Sequence, residues 1–254
     1  MTSESAALLS LLVAGHMLGD FVLQTQWMIA RKHLASGLLA HVLVVAIVQL
    51  ALLIPFFGAA ALIAVAAIAA AHLLLDVGKV ALQRRDPSHA LLWFFLDQGL
   101  HLGVLAAAWM WLSPRTAELH PALDGIDPSA LAAIGILLSA YAFNVNGMSV
   151  IVLGVLAPLG IAPSEGAMHQ PTPRVGRVIG ILERMFVLTL ILMNQWAALG
   201  LLVTAKSIAR FKDLEERRLA EYYLVGTLVS LFGATVTALA ARFFLESIKM
   251  TWLP

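Results

Sequence analysis

The chain has no cysteine among its 254 residues and little charge, since Asp, Glu, Lys and Arg make up 12% of it. Without cysteine there are no disulfides and no thiolate ligands, so a bound metal has to be held by imidazole and oxygen atoms. Those atoms suit Zn, Mn, Fe or Mg better than Cu(I) or an iron–sulfur cluster. The low charge is also unlike a soluble domain, in which about 25% of residues are charged. With 61% hydrophobic residues and a mean hydropathy of +0.90, the composition predicts a polytopic membrane protein without a sizeable soluble domain.

The charges that remain do not suit a nucleic acid. The formal net charge is +1 and the 16 basic residues are scattered through short connecting segments, where acidic residues partly match them. We therefore expect no nucleic-acid partner. The expected partners are membrane lipid and a small-molecule or lipid substrate, and the sequence leaves the oligomeric state open.

Apolar runs of about 20 residues, the length that crosses a bilayer core of roughly 30 Å, recur along the chain. The first run lacks the basic segment and the small-residue cleavage site of a signal peptide, so we expect a first transmembrane helix there. Short connections between the runs predict antiparallel neighbours. Residues 1–112 are thus expected to form a four-helix transmembrane bundle, with spans at about 6–28, 34–57, 60–82 and 90–112.

Two basic pairs, Arg31-Lys32 and Arg84-Arg85, close the first and third spans. Basic residues favour the cytoplasmic side, which places the acidic loop 113–128 outside the cytoplasm.

The remaining chain, 129–254, is expected to add further transmembrane helices. Residues 129–162 are apolar but are interrupted by Asn144-Val-Asn-Gly147, which leaves open one long helix or two helices broken there. No proline occurs from Arg174 to Leu253, which predicts two long helices at roughly 175–209 and 217–247. The predicted fold class is all-α, a polytopic transmembrane helical bundle with about seven or eight spans.

Three His/Asp pairs with a spacing of four residues lie inside the apolar runs of the first half. Residues i and i+4 share one face of a helix, so the two members of a pair can point at one object. Counted at 1.5 Å per residue from the basic ends, the pairs and His41 lie at one depth, between the cytoplasmic third and the middle of the bilayer. The pairs are His16 with Asp20, His72 with Asp76, and Asp97 with His101 in reverse order.

Three carboxylates at one depth in a membrane need shared compensation, because each costs several kcal/mol in hydrocarbon. A divalent cation supplies it, and paired ligands on facing helices are a common way to bind one. We therefore predict a metal site, with Zn as the first expectation and Mn, Fe or Mg as alternatives. Its candidate ligands are His16, Asp20, His41, His72, Asp76, Asp97 and His101. Two other interpretations stay open: the groups pair with one another between helices, or they line a path for a proton or a cation.

A hydrolase built on such a site needs a carboxylate that is free to act as general base and a basic residue that holds an anion. Lys79 lies one helical turn from Asp76, and Gln24 lies one turn beyond Asp20, so each is placed to orient a ligand or a substrate oxygen. The candidate catalytic residues are Asp20, Asp76, Lys79 and Asp97.

A second group of charged residues lies in the C-terminal half. It predicts either a buried salt bridge between Glu183 and an arginine, with basic residues that reach the interface, or an anion pocket that binds a lipid phosphate. The candidate substrate-binding residues are Gln24, Glu183, Arg184, Lys206 and Arg210.

These motifs resemble a family of bacterial polytopic membrane proteins defined as a domain of unknown function. The resemblance implies a multi-pass location in the inner (cytoplasmic) membrane and no activity. It rests on His16-Met-Leu-Gly-Asp-Phe-Val-Leu-Gln24, His41, the helix with His72, Asp76 and Lys79, Asp97-Gln-Gly-Leu-His101, and the later segments Gly176-Arg-Val-Ile-Gly-Ile-Leu-Glu-Arg184 and Ala205-Lys-Ser-Ile-Ala-Arg-Phe211.

The chain is also distantly similar to predicted membrane-bound metal-dependent hydrolases and to a His-x-x-Gly-Asp-x-x-Gln segment of zinc-dependent phospholipase C and P1-type nucleases. That resemblance implies that His16 and Asp20 bind zinc. The soluble enzymes continue with Gln-Pro-x-His, whereas Gln24 is followed here by Thr-Gln-Trp27. The next ligand therefore has to come from His41, His72 or His101.

The function expected from the sequence is that of an integral membrane metal-dependent hydrolase, acting on a membrane-associated phosphoester or lipid. The alternative is a transporter or channel for a proton or a divalent cation that uses the same intramembrane residues. A scaffold without catalytic activity is a third interpretation.

Overall fold

The computed structural model describes residues 2–114, 125–159, 172–209 and 217–248, and within these ranges the regular structure is entirely helical. This confirms the all-α fold class. Among the residues that the structure describes, five helical segments are long and apolar enough to cross a membrane, which supports a membrane protein. They are Ala35–Ile54, Ala59–Arg85, Pro87–Leu112, Pro128–Leu159 and Ala220–Ser247. The predicted count of seven or eight spans stays a prediction. The predicted loop 113–128 lies largely outside the described residues.

Helix α1 (Ser3–Phe21) is shorter than the span predicted at 6–28, and that prediction is wrong at its C-terminal end. The chain leaves the helix after Phe21 and starts a separate short helix, α2 (Gln26–Ala30). The Thr25 hydroxyl accepts the Met28 N–H at 3.3 Å, which is the N-cap interaction that begins a new helix. Trp27 and Met28 therefore belong to α2 rather than to the first long helix.

Helix α3 (Ala35–Arg85) contains two of the candidate spans and turns back on itself between them. A straight helix would separate His41 from His72 by about 46 Å, yet their Nε2 atoms are 3.0 Å apart. The chain direction therefore reverses between these two residues, which agrees with the predicted pair of antiparallel spans. The reversal brings the two histidines to the same place.

A short 3₁₀ turn, Pro87–His89, joins α3 to α4 (Ala90–Leu112). Its corner is held at Asp86, whose backbone oxygen accepts the Trp93 indole N–H at 2.9 Å. The Ser88 hydroxyl donates to the Asp86 carboxylate at 2.5 Å, and this hydrogen bond lowers the pKa of Asp86. Helix α4 can then return alongside α3.

The first compact unit comprises residues 2–142 and 245–248 of the described chain. Helix α1 lies at its centre and packs against α3, α4 and α5 (Pro128–Ala142). At Gly135 of α5, a Cβ atom would lie 2.8 Å from the backbone carbon of Ser10, so the close approach of α1 and α5 requires a glycine. The apolar core of this first unit includes Leu8, Leu12 and Leu105, which are all nearly or fully buried.

The second compact unit comprises described residues between 143 and 244. Of the two alternatives for 129–162, the structure has one helical run through Leu159, in which a π-helical turn (Phe143–Gly147) replaces the predicted break. The run continues as α6 (Met148–Leu156), and α7 (Thr172–Leu192), α8 (Trp196–Ala209) and α9 (Arg217–Ser247) follow along the chain. The bounds of α9 confirm the helix predicted at 217–247.

The prediction of one helix over 175–209 is wrong, because the chain breaks between α7 and α8. Asn194 has a φ of 58°, the left-handed conformation that ends many helices. Its N–H donates to the Ile191 oxygen at 3.0 Å, and the next N–H, of Gln195, donates to the Leu190 oxygen at 2.7 Å. This pair of bonds is a Schellman motif, which closes a helix without glycine or proline.

Candidate metal centre

The structure brings all seven predicted metal ligands together in one cluster of the first unit. Helix α1 supplies one His/Asp pair, the first half of α3 supplies a histidine, its second half supplies another pair, and α4 supplies the third. The spacing of four residues puts both members of each pair on the inner face of their helix. The members are His16, Asp20, His41, His72, Asp76, Asp97 and His101; Asp20 is partly buried and the other six are buried.

Three ligand atoms form a nearly regular triangle. The Nε2 atoms of His41 and His72 are 3.0 Å apart. Asp20 Oδ1 lies 3.4 Å from His41 Nε2 and 3.6 Å from His72 Nε2. In a tetrahedral zinc site with bonds of 2.0–2.1 Å, ligand atoms are about 3.3 Å apart. The triangle therefore has the size of one face of such a site.

Asp76 borders the same space from another side. Its Oδ2 atom lies 3.5 Å from His41 Nε2 and 3.7 Å from His72 Nε2. Both of its oxygens accept hydrogen bonds from Lys32 Nζ, at 3.0 and 2.9 Å. Asp76 is thus already neutralised by a lysine, whereas Asp20 is not.

Gln98 determines how the His16 side chain is protonated. Its amide N–H₂ donates to Asp97 Oδ2 at 3.0 Å and to Asp20 Oδ2 at 3.4 Å, so its oxygen faces His16 Nε2 at 3.2 Å. His16 must then carry its proton on Nε2. Its Nδ1 lone pair is left facing Asp20 Oδ1 at 3.8 Å, and two acceptors that face each other are stabilised by a cation between them.

Asp20 Oδ1 is also buried without a hydrogen-bond partner among the described residues. A buried carboxylate oxygen without a hydrogen-bond donor costs free energy, and such oxygens are rare in native proteins. Counting charges with neutral histidines, the three aspartates contribute −3 and Lys32 and Lys79 contribute +2, which leaves −1 in the cluster. The cluster therefore lacks a positive charge at the position of Asp20.

Lys79, predicted as catalytic, holds the third carboxylate. Its Nζ atom is 2.7 Å from Asp97 Oδ2. The lysine side chain is 18% exposed and that of Asp97 is 3% exposed; for Lys32 and Asp76 the figures are 17% and 2%. The side chains of Lys32 and Lys79, called the lysine rim below, are thus more exposed than the carboxylates that they bind.

The candidate substrate-binding residues of the second unit have partners of their own. Lys206 donates to Glu183 at 2.5 Å, so the ion-pair partner of Glu183 within the described residues is a lysine, and a salt bridge with an arginine stays a prediction. Arg184 donates to the carbonyl oxygens of Asn144 and Val145 at 2.7 and 3.1 Å, two acceptors of the π-turn. Together with Ser230 and other side chains, Glu183, Arg184 and Lys206 line a small, partly open pocket.

Gln24 and Arg210 are the two remaining predicted residues. Gln24 lies between α1 and α2, and its Nε2 atom is buried without a hydrogen-bond partner among the described residues. Arg210 lies outside the described residues.

The sequence reasoning missed Lys32 and Gln98 as members of the cluster. Lys32 was assigned to the basic end of a span, but a lysine stem is long enough to reach inward along an apolar surface. Gln98 was passed over although it precedes His101 by three residues, a spacing that shares a helix face. The signal that could have identified Gln98 is that it is a polar residue at the depth of the His/Asp pairs.

The fold and the cluster define a class: an all-helical protein with membrane-length helices, whose buried His and Asp side chains lie close enough to hold a metal ion. Residues 8–124 match the model of a family described as "Protein of unknown function (DUF3307)". No curated protein and no solved structure gives a significant match. The matched segment includes every residue of the cluster, together with Lys32, Lys79 and Gln98. The match supports the expected resemblance to an uncharacterised family.

Proposed function

We propose that this protein is a metal-dependent hydrolase embedded in the bacterial inner membrane, with seven or eight spans, and that it acts on a membrane-associated phosphoester or lipid. The observation that carries the proposal is the triangle of His41 Nε2, His72 Nε2 and Asp20 Oδ1, with distances of 3.0, 3.4 and 3.6 Å. Among the described residues, that carboxylate oxygen accepts no hydrogen bond.

We assign the three residues of the triangle as ligands of one divalent metal, zinc in the first instance. Two imidazoles and one carboxylate are a ligand set of catalytic zinc sites, which keep a fourth position for water. Bound there, the metal supplies a Lewis acid that lowers the pKa of water to about 7 and polarises a substrate oxygen. Asp76 borders this position and is oriented through both oxygens by Lys32. It is the carboxylate that we expect to accept the proton of the attacking water.

The charge of the lysine rim favours an anionic substrate. The side chains of Lys32 and Lys79 are partly exposed, whereas the carboxylates that they bind are buried. Ammonium groups attract phosphate oxygens and repel cations. The arrangement therefore supports a phosphoester more than a neutral ester or amide. It also supports cation transport less, because two ammonium groups bound to the cluster disfavour a permeating cation.

The experiment compares two conservative variants of the cluster in detergent-purified, zinc-loaded protein. Asp20→Asn removes a ligand, so we expect both bound zinc and turnover to be lost. Asp76→Asn removes the proton acceptor, so we expect zinc to stay and turnover to fall about 10²–10⁴-fold. Asp86→Asn makes the same chemical change at the α3–α4 corner and should alter neither.

Turnover is measured on phospholipids, isoprenoid phosphates, and ester and amide substrates. Absence of turnover by the zinc-loaded wild type on every class would overturn the hydrolase. Weak, exchangeable metal together with ion flux in liposomes would favour the transporter instead.

A further inference from the structure

The proposed zinc site does not use two ligand atoms of helix α4. Asp97 Oδ1 and His101 Nε2 are both buried without a hydrogen-bond partner among the described residues. The side chains are 3% exposed in both residues. Each atom is one that a metal ion accepts as a ligand, and neither has a donor that would explain its burial.

The orientation of His101 is set by its other nitrogen. Nδ1 lies 2.8 Å from the backbone oxygen of Asp97, which can only accept, so Nδ1 carries the proton. Nε2 is then an unprotonated acceptor, and a backbone carbonyl is a frequent partner of the second nitrogen in metal-binding histidines. The His101 ring packs against the rings of His72 and His16, with centroids 4.3 and 5.0 Å away. The His101 ring is therefore held within the cluster.

The two atoms belong to a group of side chains that could hold a cation. One ligand atom from each of Asp76, Asp97 and His101 lies within 4.8 Å of the others. Because only Asp97 and His101 of this group are free to act as ligands, water and a substrate oxygen would fill the remaining coordination positions. Mn²⁺ and Mg²⁺ keep several waters in this way and often share a substrate phosphate.

We propose a second divalent-cation site of the Mn²⁺ or Mg²⁺ class, bound by Asp97 and His101 and completed by water and by a phosphate oxygen of the substrate. Asp76 lies close enough to accept a hydrogen bond from those waters and keeps its assigned role. The inference rests on the proposed function, because it adds a cation beside the zinc. The substrate class that follows is a phosphoester bound between two metals.

Charge makes the second cation conditional. The cluster carries −1, and one zinc brings it to +1, so a further divalent cation needs either an added anion or the removal of a lysine charge. Lys79 competes directly, because it holds Asp97 at 2.7 Å. The second cation should therefore bind weakly to the wild type, more tightly with inorganic phosphate, and more tightly still when the ammonium of Lys79 is absent.

The test counts bound Mn²⁺ by electron paramagnetic resonance in full-length protein that already holds zinc. We expect Lys79→Met to lower the free Mn²⁺ needed for half-occupancy by about tenfold or more, and phosphate to lower it in the wild type. Adding His101→Gln to Lys79→Met should abolish the gain. Lys206→Met, which removes an ammonium from Glu183, and His89→Gln, which changes an exposed histidine, are the matched controls.

The outcomes separate the two proposals. Suppose that zinc binds but Lys79→Met does not bind Mn²⁺ more tightly, or that the tighter Mn²⁺ binding persists when His101→Gln is added. In either case the second site is refuted while the zinc site stands. If the wild type holds no zinc that Asp20→Asn removes, the proposed function fails first and the second site fails with it.

Discussion

The two compact units bury charged side chains in different ways. In the second unit, Arg184 donates to the Asn144 and Val145 carbonyls and to the Ser149 hydroxyl, and Glu183 accepts from Lys206. In the first unit, Asp20 Oδ1 accepts no hydrogen bond from the part of the chain that the structure describes, and it faces the lone pair of His16 Nδ1 at 3.8 Å. In the second unit, these cations are matched by hydrogen-bond acceptors. In the first unit, two acceptors, Asp20 Oδ1 and His16 Nδ1, face each other.

This contrast separates a structural role from a binding role. A buried charge whose hydrogen bonds are all made within the fold rigidifies the structure and leaves no capacity for a ligand. A buried acceptor without a donor costs free energy until a cation or a proton supplies the missing charge. The same residue types, Asp, Glu, Lys and Arg, thus lead to different expectations once their partners are known.

The largest expected effect comes from removing the unmatched acceptor. Asp20→Asn should abolish zinc binding, because it removes one of three ligands and the only cluster carboxylate without a lysine. Zinc present at 100 times its Kd stabilises the wild type by about 2.7 kcal/mol, and this increment should be absent from the variant. Elemental analysis and thermal unfolding with and without a chelator measure both effects.

The metal-free proteins provide the control for that prediction. Without metal, Asp20→Asn should be at least as stable as the wild type, since a buried carboxylate without a donor is replaced by a neutral amide. If the groups merely paired with one another, the variant would be less stable without metal and a chelator would not affect the wild type. That result would remove the difference between the two units.

A smaller effect is expected where the charge is fully matched. Arg184→Met leaves the carbonyls of the π-turn without their donor, and we expect a loss of about 2–4 kcal/mol in the free energy of unfolding. Zinc content should not change. Arg177→Met is the matched control, since Arg177 is exposed and bonds Asn146 at 2.6 Å; its loss should cost less than about 1 kcal/mol. Denaturation in mixed micelles compares the two, and equal costs would contradict a structural role for Arg184.

The composition of the cluster could be predicted from the sequence because it follows from local geometry. The spacing of four residues fixes which face of a helix carries each His/Asp pair, and the apolar runs fix the depth. Both arguments need no knowledge of neighbouring helices, and both placed His16, His72 and His101 together with their aspartates. The helical hairpin that brings His41 to His72 followed from the lengths of the runs.

The partners of the charged groups could not be predicted in this way. Lys32 reaches Asp76 across 44 residues of sequence, and Lys206 rather than Arg184 reaches Glu183. Long side chains can pair in several directions, and helix packing selects one of them. The tautomer of His16, and with it the unmatched lone pair, depends on Gln98 of another helix. The argument for a cation therefore needed the structure.

The smallest expected effect concerns the joint between α7 and α8, which the sequence reasoning missed because it contains neither glycine nor proline. Asn194→Ala keeps the length of the joint, but alanine has no polar side chain to stabilise the left-handed conformation at a φ of 58°. We expect this change to cost about 1–2 kcal/mol. It also removes the acceptor of the Trp196 indole N–H at 2.8 Å.

The control is Asn194→Gly, which removes that acceptor too. Glycine adopts the left-handed backbone conformation without strain, so this variant should cost only a few tenths of a kcal/mol. Thermal unfolding distinguishes the two variants, and zinc content should be unchanged in both, because the joint serves the unit whose charges are already matched. An alanine variant as stable as the glycine variant would show that the left-handed turn does not limit the stability of this unit.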